Sequence, residues 1–127
     1  MRVILDTGVF FRPEKLLELR QDDRDVVVPA VVYQERLRQL RRKGAPEDEL
    51  ARLLSLLQFD VESFSVTEAH RRLTRVSQLS DAQWSKLARD AMIAGHVRPG
   101  DDLWTTNPRD FLDLGLPPEQ VVAVPSP

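Results

Sequence analysis

Short apolar runs rich in β-branched residues alternate with segments of helical periodicity along this sequence, and that alternation restricts its fold more than any other feature. Residues 2–5 end at Asp6 and residues 26–28 end at Pro29, a pattern typical of short buried strands followed by turns. Further strands are predicted at residues 59–64, 103–105 and 121–124. Strands that alternate with helices favour a parallel sheet covered by helices on both faces. The sequence therefore predicts a three-layer α/β/α fold around a mostly parallel sheet of four to five strands.

Each segment between two predicted strands carries helix signals. The predicted helices cover residues 13–20, 30–43, 47–58, 68–76, 81–97 and 108–112. Leu16, Leu17 and Leu19 are expected on or near the buried side of the first helix. Thr67 and Ser80 are expected to cap the fourth and fifth helices with their hydroxyls. Because the strand-to-helix junctions of such a sheet lie at its carboxyl edge, a ligand site is expected there.

Length and composition suit one globular domain spanning residues 1–127, with 42% hydrophobic and 30% charged residues. The longest apolar stretch, residues 26–33, is interrupted by Pro29 and is too short for a membrane span. The amino-terminal apolar run is too short for a signal peptide. We therefore expect a cytoplasmic protein with no membrane partner. The absence of cysteine excludes disulfides, thiolate zinc sites and cysteine nucleophiles.

Charge is nearly balanced overall but unevenly distributed. A net charge of −2 and a pI near 5.7 are not typical of a protein that coats nucleic acid. Basic residues nevertheless form two clusters, one in the second predicted helix and one in the fourth. The first consists of Arg36, Arg38, Arg41, Arg42 and Lys43, and the second of Arg71, Arg72 and Arg75. A solvated helix face and a contact with a nucleic-acid backbone explain either cluster equally well.

Acidic and amide residues follow the predicted strands or lie in the helices beside them. The candidates are Asp6, Glu35, Asp90, Asn107 and Asp110. Asp6 directly follows the first strand, and Glu35 lies within an apolar stretch of a helix. Asp90 lies mid-helix among small and apolar residues, where a charge is costly unless it is paired or bound to a cation. Two simpler interpretations stay open: Asp6 as a helix cap, and Asp90 as an i,i+4 partner of Lys86.

Carboxylates that converge at one sheet edge repel one another, and a hard divalent cation relieves that repulsion. Oxygen ligands without cysteine and with little histidine favour Mg²⁺ or Mn²⁺. Such a site suits phosphodiester hydrolysis, because the metal activates a water and neutralises charge on the phosphate. Gly8 argues against receiver domains and dehalogenase-like phosphatases, which need a further acid near this position. The sequence also has no glycine-rich phosphate loop.

Four motifs, taken in order, make the sequence resemble a PIN-domain ribonuclease, and more narrowly the VapC toxins of type II toxin–antitoxin systems. They are residues 4–7 (ILDT), 31–37 (VVYQERL), 89–94 (RDAMIA) and 105–111 (TTNPRDF). The resemblance covers the whole chain in order and in length. It implies an acidic quartet around magnesium, with two supporting polar residues. The quartet is Asp6, Glu35, Asp90 and Asp110, and the polar residues are Thr7 and Asn107.

The resemblance also implies an activity and partners. The activity is that of a Mg²⁺- or Mn²⁺-dependent endoribonuclease, the toxin of a toxin–antitoxin pair, with Asp6 and Asp90 as the principal metal ligands. Glu35 and Asp110 would complete the acidic pocket and orient the attacking water. The implied partners are an RNA substrate, a cognate antitoxin and a second copy of the chain in a homodimer. A housekeeping RNA-processing nuclease and a non-catalytic interaction module stay as alternatives.

Departures from the family pattern concern the end of the fifth predicted helix and the loop after it. A small alanine is usual where this chain has Gly95 and His96. His96 is expected to be a surface or packing residue rather than an RNA contact. The roles of Asp101 and Asp102 are left open.

Overall fold

The described part of the chain contains one parallel sheet of five strands. The computed structural model of the chain describes residues 2–71 and 80–127, without the side chains of residues 69, 71, 85 and 86. The strands are β1 Arg2–Leu5, β2 Asp25–Pro29, β3 Asp60–Glu62, β4 Asp102–Thr105 and β5 Val121–Ala123. Their order across the sheet is β3-β2-β1-β4-β5, and every neighbouring pair is parallel. The predicted α/β class and parallel sheet are confirmed.

Helices connect the strands, as the alternation predicts. They are α1 Pro13–Gln21, α2 Ala30–Arg42, α3 Glu49–Leu57, α4 Val66–Arg71, α5 Asp81–Gly95 and α6 Pro108–Asp113. Two 3₁₀ helices, Thr7–Phe11 and Pro118–Gln120, precede α1 and β5. Of the helix predicted over residues 68–76, the part from 72 onward lies outside the described residues. None of the described helices is long and apolar enough to cross a membrane.

β1 lies at the centre of the sheet, and its apolar composition suits that position. Residues 3–5 are fully buried, as expected for a strand whose sheet is covered on both faces. Ile4 lies in register with Val27 of β2 and Leu103 of β4. The carboxyl ends of these three strands therefore meet at one edge of the sheet, and Asp6 is the first residue beyond that edge.

One of the two predicted helix caps is confirmed, and the other is wrong. Ser80 caps α5 as predicted: its hydroxyl accepts from the Gln83 N–H, and the Gln83 side chain accepts from the Ser80 N–H. The prediction of Thr67 as the cap of α4 is wrong, because Thr67 lies within that helix. Ser65 caps it instead, since its hydroxyl accepts from the Glu68 N–H at 3.4 Å and its own N–H donates to the Glu68 carboxylate at 3.0 Å.

The buried side of α1 is narrower than predicted. Leu16 and Leu19 are buried, but Leu17 is 55% exposed, so the expectation for Leu17 is wrong. Residues three apart share a helix face, whereas adjacent residues do not. The burial of Leu16 and Leu19 therefore turns Leu17 toward solvent.

Candidate active site

Asp6 lies immediately beyond β1 and is almost fully buried. Its N–H donates to the carbonyl of Trp104 at 3.0 Å, which extends the contact with β4 by one residue. Its Oδ1 accepts from the Thr7 N–H at 2.8 Å, and its Oδ2 accepts from the Thr105 hydroxyl at 2.7 Å. Asp6 is thus a helix cap, as one open interpretation holds, and also a charge fixed at the carboxyl edge of the sheet.

The guanidinium of Arg89 lies among the acidic residues at this edge. Its Nη2 donates to Asp6 Oδ1 at 2.8 Å and to the Thr7 hydroxyl at 2.7 Å. Its Nη1 donates to Asp90 Oδ1 at 2.5 Å, and its Nε donates to Glu35 Oε1. The Thr7 hydroxyl in turn donates to Glu35 Oε1 at 2.9 Å. One guanidinium therefore contacts carboxylates from the end of β1, from α2 and from α5.

Arg89 is the candidate that sequence reasoning missed. An arginine in a helix is ordinarily a solvated residue, and the pattern that could have drawn attention to it is its position next to Asp90. The Arg89 side chain is 35% exposed, so its guanidinium reaches the carboxylates from the solvent side. The side chain of Lys86, which the sequence offers as an i,i+4 partner of Asp90, lies outside the described part of the chain.

The start of α6 holds the last two predicted site residues. Asp110, in the first turn, is partly buried, and its charge acts on Asp90. Asn107 is exposed, and its backbone N–H donates to the Thr105 hydroxyl at 3.0 Å. The same hydroxyl donates to Asp6, so the backbone of α6 is tied to the central carboxylate. The four predicted acids therefore share one edge of the sheet. We call this arrangement, with Arg89, the acidic pocket.

Among the side chains that the structure describes, negative charge in the acidic pocket exceeds the positive charge of the Arg89 guanidinium. Burial raises the pKa of Asp90, and the charges of Asp6 and Asp110 raise it further. Arg89 lowers that pKa without restoring its ordinary value. Burial acts to lower the pKa of Arg89 itself, but the charges of Asp6 and Glu35 outweigh it and raise this pKa. The pocket thus keeps excess negative charge that a further cation could neutralise.

The donors of the acidic pocket suit a hard divalent cation but do not form a compact cage. The carboxylate and hydroxyl groups offer only oxygen, which Mg²⁺ and Mn²⁺ prefer. Among the residues that the structure describes, however, only Glu62, Glu68 and His96 bring three ligand atoms within 4.8 Å of one another. The acids of the pocket are instead arranged around the guanidinium of Arg89.

Positive side chains already balance the group formed by Glu62, Glu68 and His96. His96 is fully buried, and its Nδ1 lies 2.7 Å from Glu62 Oε1. Arg2 lies 3.2 Å from Glu62, and Arg98 lies 3.9 Å from Glu68. Burial acts to raise the pKa of Glu62, but the hydrogen bond with His96 and the charge of Arg2 lower it overall. We interpret this group as a structural network, in which His96 is a packing residue.

The two acids left open by the sequence lie at the amino end of β4, away from the acidic pocket. Asp101 accepts from the Arg98 N–H at 2.9 Å and lies 3.3 Å from Arg2. Asp102 forms an ion pair with Arg24 at 2.9 Å. Both acids therefore hold the loop before β4 to its neighbours.

Three of the five basic residues at positions 36–43 contact other side chains. Arg36 Cζ lies 4.8 Å and Lys43 Nζ 5.5 Å from the centroid of the Phe11 ring, within the range of cation–π contacts. Arg41 forms an exposed ion pair with Glu47 at 3.0 Å. These contacts make Arg36, Lys43 and Arg41 the weaker candidates for a substrate contact.

Arg38 and Arg42 line a cleft next to the acidic pocket. With Gln39 and Glu35 they enclose about 200 Å³, and their spacing places them on one face of α2. Within the described part of the chain, neither arginine forms an ion pair with an acidic residue. The second basic cluster cannot be placed beside them, because residues 72 and 75 and the side chain of residue 71 lie outside the described structure.

Comparison with known proteins identifies relatives at the level of family and fold. The family model described as the PIN domain matches residues 3–114. No curated protein matches the sequence significantly. A toxin–antitoxin complex from Klebsiella pneumoniae contains a chain that superposes with a TM-score of 0.62 at 17% identity, over 95% of this chain and 96% of that one.

Two further solved structures are similar over nearly their whole length. DNA-bound VapBC from Salmonella typhimurium gives a TM-score of 0.65 at 19% identity, over 97% of this chain and 98% of that one. VapBC2 from Rickettsia felis, bound to a DNA fragment from their promoter, gives a TM-score of 0.65 at 14% identity, over 98% of this chain and 99% of that one. At these identities the likeness demonstrates a shared fold.

Proposed function

This chain belongs to the PIN domain family, and from that premise we propose that it is a Mg²⁺-dependent endoribonuclease and the toxin of a toxin–antitoxin pair. The proposed reaction is hydrolysis of an RNA phosphodiester bond. The observation that carries the proposal is the convergence of Asp6, Glu35 and Asp90 at one edge of the sheet, with the charge of Asp110 beside them. Excess negative charge at this position suits a cation-assisted reaction on an anionic substrate.

The four acids of the pocket are the proposed metal-holding residues. We assign Asp6 and Asp90 as the principal ligands and give Glu35 and Asp110 the role of completing the pocket. Mg²⁺ or Mn²⁺ held there would supply an activated water and a positive charge opposite the phosphate.

The chain's own contribution is to keep the central carboxylate in one orientation. Hydrogen bonds from the Thr7 N–H and the Thr105 hydroxyl act on different oxygens of Asp6, so its carboxylate is fixed against rotation. Burial of Asp6 also restricts its access to bulk water. A ligand oriented in advance loses less entropy when it binds a cation or positions a water.

The cleft beside Glu35 is the proposed path of the RNA backbone. Arg38 and Arg42 line this cleft, so their charge lies where an RNA strand would approach the pocket along α2. Phosphate contacts of this kind give affinity without sequence specificity. The RNA sequence that is cut would then depend on other contacts.

An antitoxin and a second copy of the chain are the proposed protein partners. The three structural neighbours are described as toxin–antitoxin or VapBC complexes, and two of them contain DNA. By analogy, we propose that a cognate antitoxin restrains this chain and that the chain forms a homodimer.

Cleavage of a fluorescent structured RNA, followed on gels, tests the proposal. Wild-type protein should cut the RNA with Mg²⁺ or Mn²⁺ and stop when EDTA is added. Asp6→Asn should reduce the rate at least about 100-fold, because an amide cannot replace the ionised ligand. Asp102→Asn is the matched control: it also removes one carboxylate, but at the amino end of β4, and should stay near the wild-type rate.

Each alternative has its own outcome in this experiment. Cleavage that persists in EDTA would contradict the metal-dependent mechanism. Absence of cleavage in the wild type, with intact folding by circular dichroism, would favour the non-catalytic interaction module. Cleavage that purified antitoxin candidates do not inhibit would favour the housekeeping nuclease.

A further inference from the structure

Arg89 occupies the space among the acids in which a cation is expected. Its three nitrogens contact three different carboxylates and one hydroxyl. A planar guanidinium with its donors in a fixed fork suits this role better than a lysine would. The acids it contacts do not bring three ligand atoms within 4.8 Å of one another in the described chain, so they do not form a compact set of ligands while Arg89 lies among them. Arg89 thus supplies the positive charge among these three carboxylates in the form that the structure describes.

We propose that Arg89 is a counter-ion built into the acidic pocket, and that it must release Asp6, Glu35 and Asp90 before a divalent cation can bind there. The proposal rests on the metal-dependent activity proposed above. It adds that metal binding is an exchange of one cation for another rather than the filling of a ready site.

The side chain of Arg89 is suited to such an exchange. It is 35% exposed, so the guanidinium can leave toward solvent while the backbone stays within α5. Its ion pairs are partly exposed on the side of Glu35, whose side chain is 34% exposed. Partly exposed ion pairs of this kind contribute little net stability. The side chains of Asp6 and Asp90 are only 5% and 12% exposed, so Glu35 is the partner that Arg89 leaves most easily.

The exchange also favours divalent over monovalent cations. Departure of Arg89 removes one positive charge from the pocket, and a monovalent ion would only restore it. A divalent ion restores that charge and neutralises one more, in a pocket where the pKa of Asp90 is already raised by burial and by its acidic neighbours. Sodium or potassium at ordinary concentrations should therefore not displace Arg89.

The cost of the exchange should be visible in the affinity for metal. When only a fraction of molecules has the binding-competent arrangement, the apparent dissociation constant rises by the inverse of that fraction. A minor state of roughly 10% or less is typical of such equilibria. Removing the guanidinium should therefore tighten metal binding about tenfold or more.

Isothermal titration with Mg²⁺ and with Mn²⁺ on the full chain tests the proposal. We compare wild type, Arg89→Gln and Arg38→Gln. Arg38→Gln is the matched control, because it removes the same charge from the cleft that Glu35 lines and leaves the contacts of Arg89 in place. The expected result is at least tenfold tighter binding to Arg89→Gln, with a change of less than about threefold in Arg38→Gln.

Three outcomes would overturn the proposal. Unchanged or weaker binding to Arg89→Gln would mean that Arg89 supports the ligands rather than competing with the metal. Equal tightening in both variants would reduce the effect to general electrostatics. Absence of metal binding in the wild type and in both variants would overturn this proposal together with the proposed function, whereas the first two outcomes would overturn this proposal alone.

A measurement on the wild-type protein covers the case in which Arg89→Gln does not fold. The Nε–H resonance of Arg89 reports its contact with Glu35 by nuclear magnetic resonance. Addition of Mg²⁺ should shift this resonance and speed its exchange with water. A resonance that stays unchanged while Mg²⁺ binds would show that the guanidinium does not leave, and would overturn the exchange.

Discussion

Folding places the charge of Asp90 in an unfavourable environment within the acidic pocket. Asp90 is 8% exposed, and burial together with Asp6 and Asp110 raises its pKa in spite of the ion pair with Arg89. A raised pKa means that the folded state binds the proton more tightly than the unfolded chain does. The free energy of unfolding therefore falls as pH rises from the unfolded-state pKa through the raised folded-state pKa, and it stays lowered at neutral pH.

Asp90→Asn should remove this unfavourable term. In metal-free buffer at neutral pH we expect the variant to have a higher free energy of unfolding than the wild type, by an amount on the order of 1 kcal/mol. The difference should shrink as pH falls and vanish below roughly pH 3, about one unit under the ordinary Asp pKa of about 3.9, where the wild-type carboxyl is protonated in both states. Urea unfolding at several pH values measures it, with the exposed Asp113→Asn as control. Lower stability of Asp90→Asn at neutral pH would instead make Asp90 a structural partner of Arg89.

Position along the chain predicts some residues of the pocket and not others. Asp6 follows a buried strand, and Asp90 is a charge in an otherwise small and apolar helix segment, so both stand out in the sequence. Arg89 does not stand out, because its role depends on contact with Asp6, which is 83 residues away. A contact between residues so far apart in the sequence arises only in the folded structure.

At the scale of an element, α2 divides its basic residues by helical face. Glu35, Arg38 and Arg42 share one cleft, whereas Arg36 lies over Phe11. A count of basic residues in the sequence cannot make this division. Phe11, over which Arg36 and Lys43 lie, and Glu47, the ion-pair partner of Arg41, come from other segments of the chain.

The Arg38→Ala, Arg42→Ala double variant should therefore weaken RNA binding more than Arg41→Ala does. If each arginine contacts one phosphate, the slope of log affinity against log salt should become shallower by about 0.7 per contact on single-stranded RNA. Fluorescence anisotropy in EDTA, which prevents cleavage, measures this slope. An equal loss of RNA affinity in Arg41→Ala, whose side chain is paired with Glu47, would contradict specific phosphate contacts by Arg38 and Arg42. It would favour weak binding across the whole basic face of α2.

The contact between α4 and α5 explains one departure from the family pattern. A Cβ at Gly95 would lie 2.7 Å from the backbone carbonyl oxygen of Glu68, which cannot move without shifting α4. The alanine usual at this position therefore does not fit here. Close backbone approach at the end of a helix is a reason for glycine that periodicity does not reveal.

Gly95→Ala consequently tests packing against helix propensity. Propensity alone favours alanine by about 1 kcal/mol. The steric conflict should outweigh it and lower the free energy of unfolding by about 1–3 kcal/mol. Chemical denaturation checks the sign, and Ala82→Gly, at an exposed position of the same helix, reports the propensity effect alone. A more stable Gly95→Ala would show that α4 and α5 can separate at little cost.

The presence and order of strands and helices are more predictable from the sequence than the caps and exposed positions of individual helices. Alternation of strand and helix patterns predicts all five strands and the order of helices, because burial on both faces of a parallel sheet leaves a strong apolar signal. The prediction for Leu17 is wrong because exposure depends on how the helix is rotated about its axis. The prediction for Thr67 is wrong because a cap depends on the residue at which the helix begins. The sheet order, with β1 in the centre, follows from pairing between distant segments.

On the scale of the whole molecule, the acidic pocket joins parts of the chain that only the complete fold brings together. Asp6, Glu35, Asp90 and Asp110 belong to four separate elements or junctions. A cation bound by them has no comparable site in the unfolded chain, so it should stabilise the global fold by mass action. The structure offers a second group that could hold a metal ion, formed by Glu62, Glu68 and His96, and stability can decide between the two.

We expect Mg²⁺ to raise the melting temperature of the wild type through the acidic pocket. At a concentration 100 times Kd the gain is about 2.7 kcal/mol, which corresponds to a rise of roughly 5–15 °C for a domain of this size. Asp90→Asn should lose most of that shift, because it removes a proposed ligand. Glu62→Gln removes one acid of the second group and should keep the full shift relative to its own metal-free form, since Arg2 and Arg98 already balance that group. Scanning fluorimetry of all three proteins with Mg²⁺ and with EDTA gives the comparison. A shift lost in Glu62→Gln and kept in Asp90→Asn would move the metal to the second group, because only there would a removed carboxylate then matter for binding.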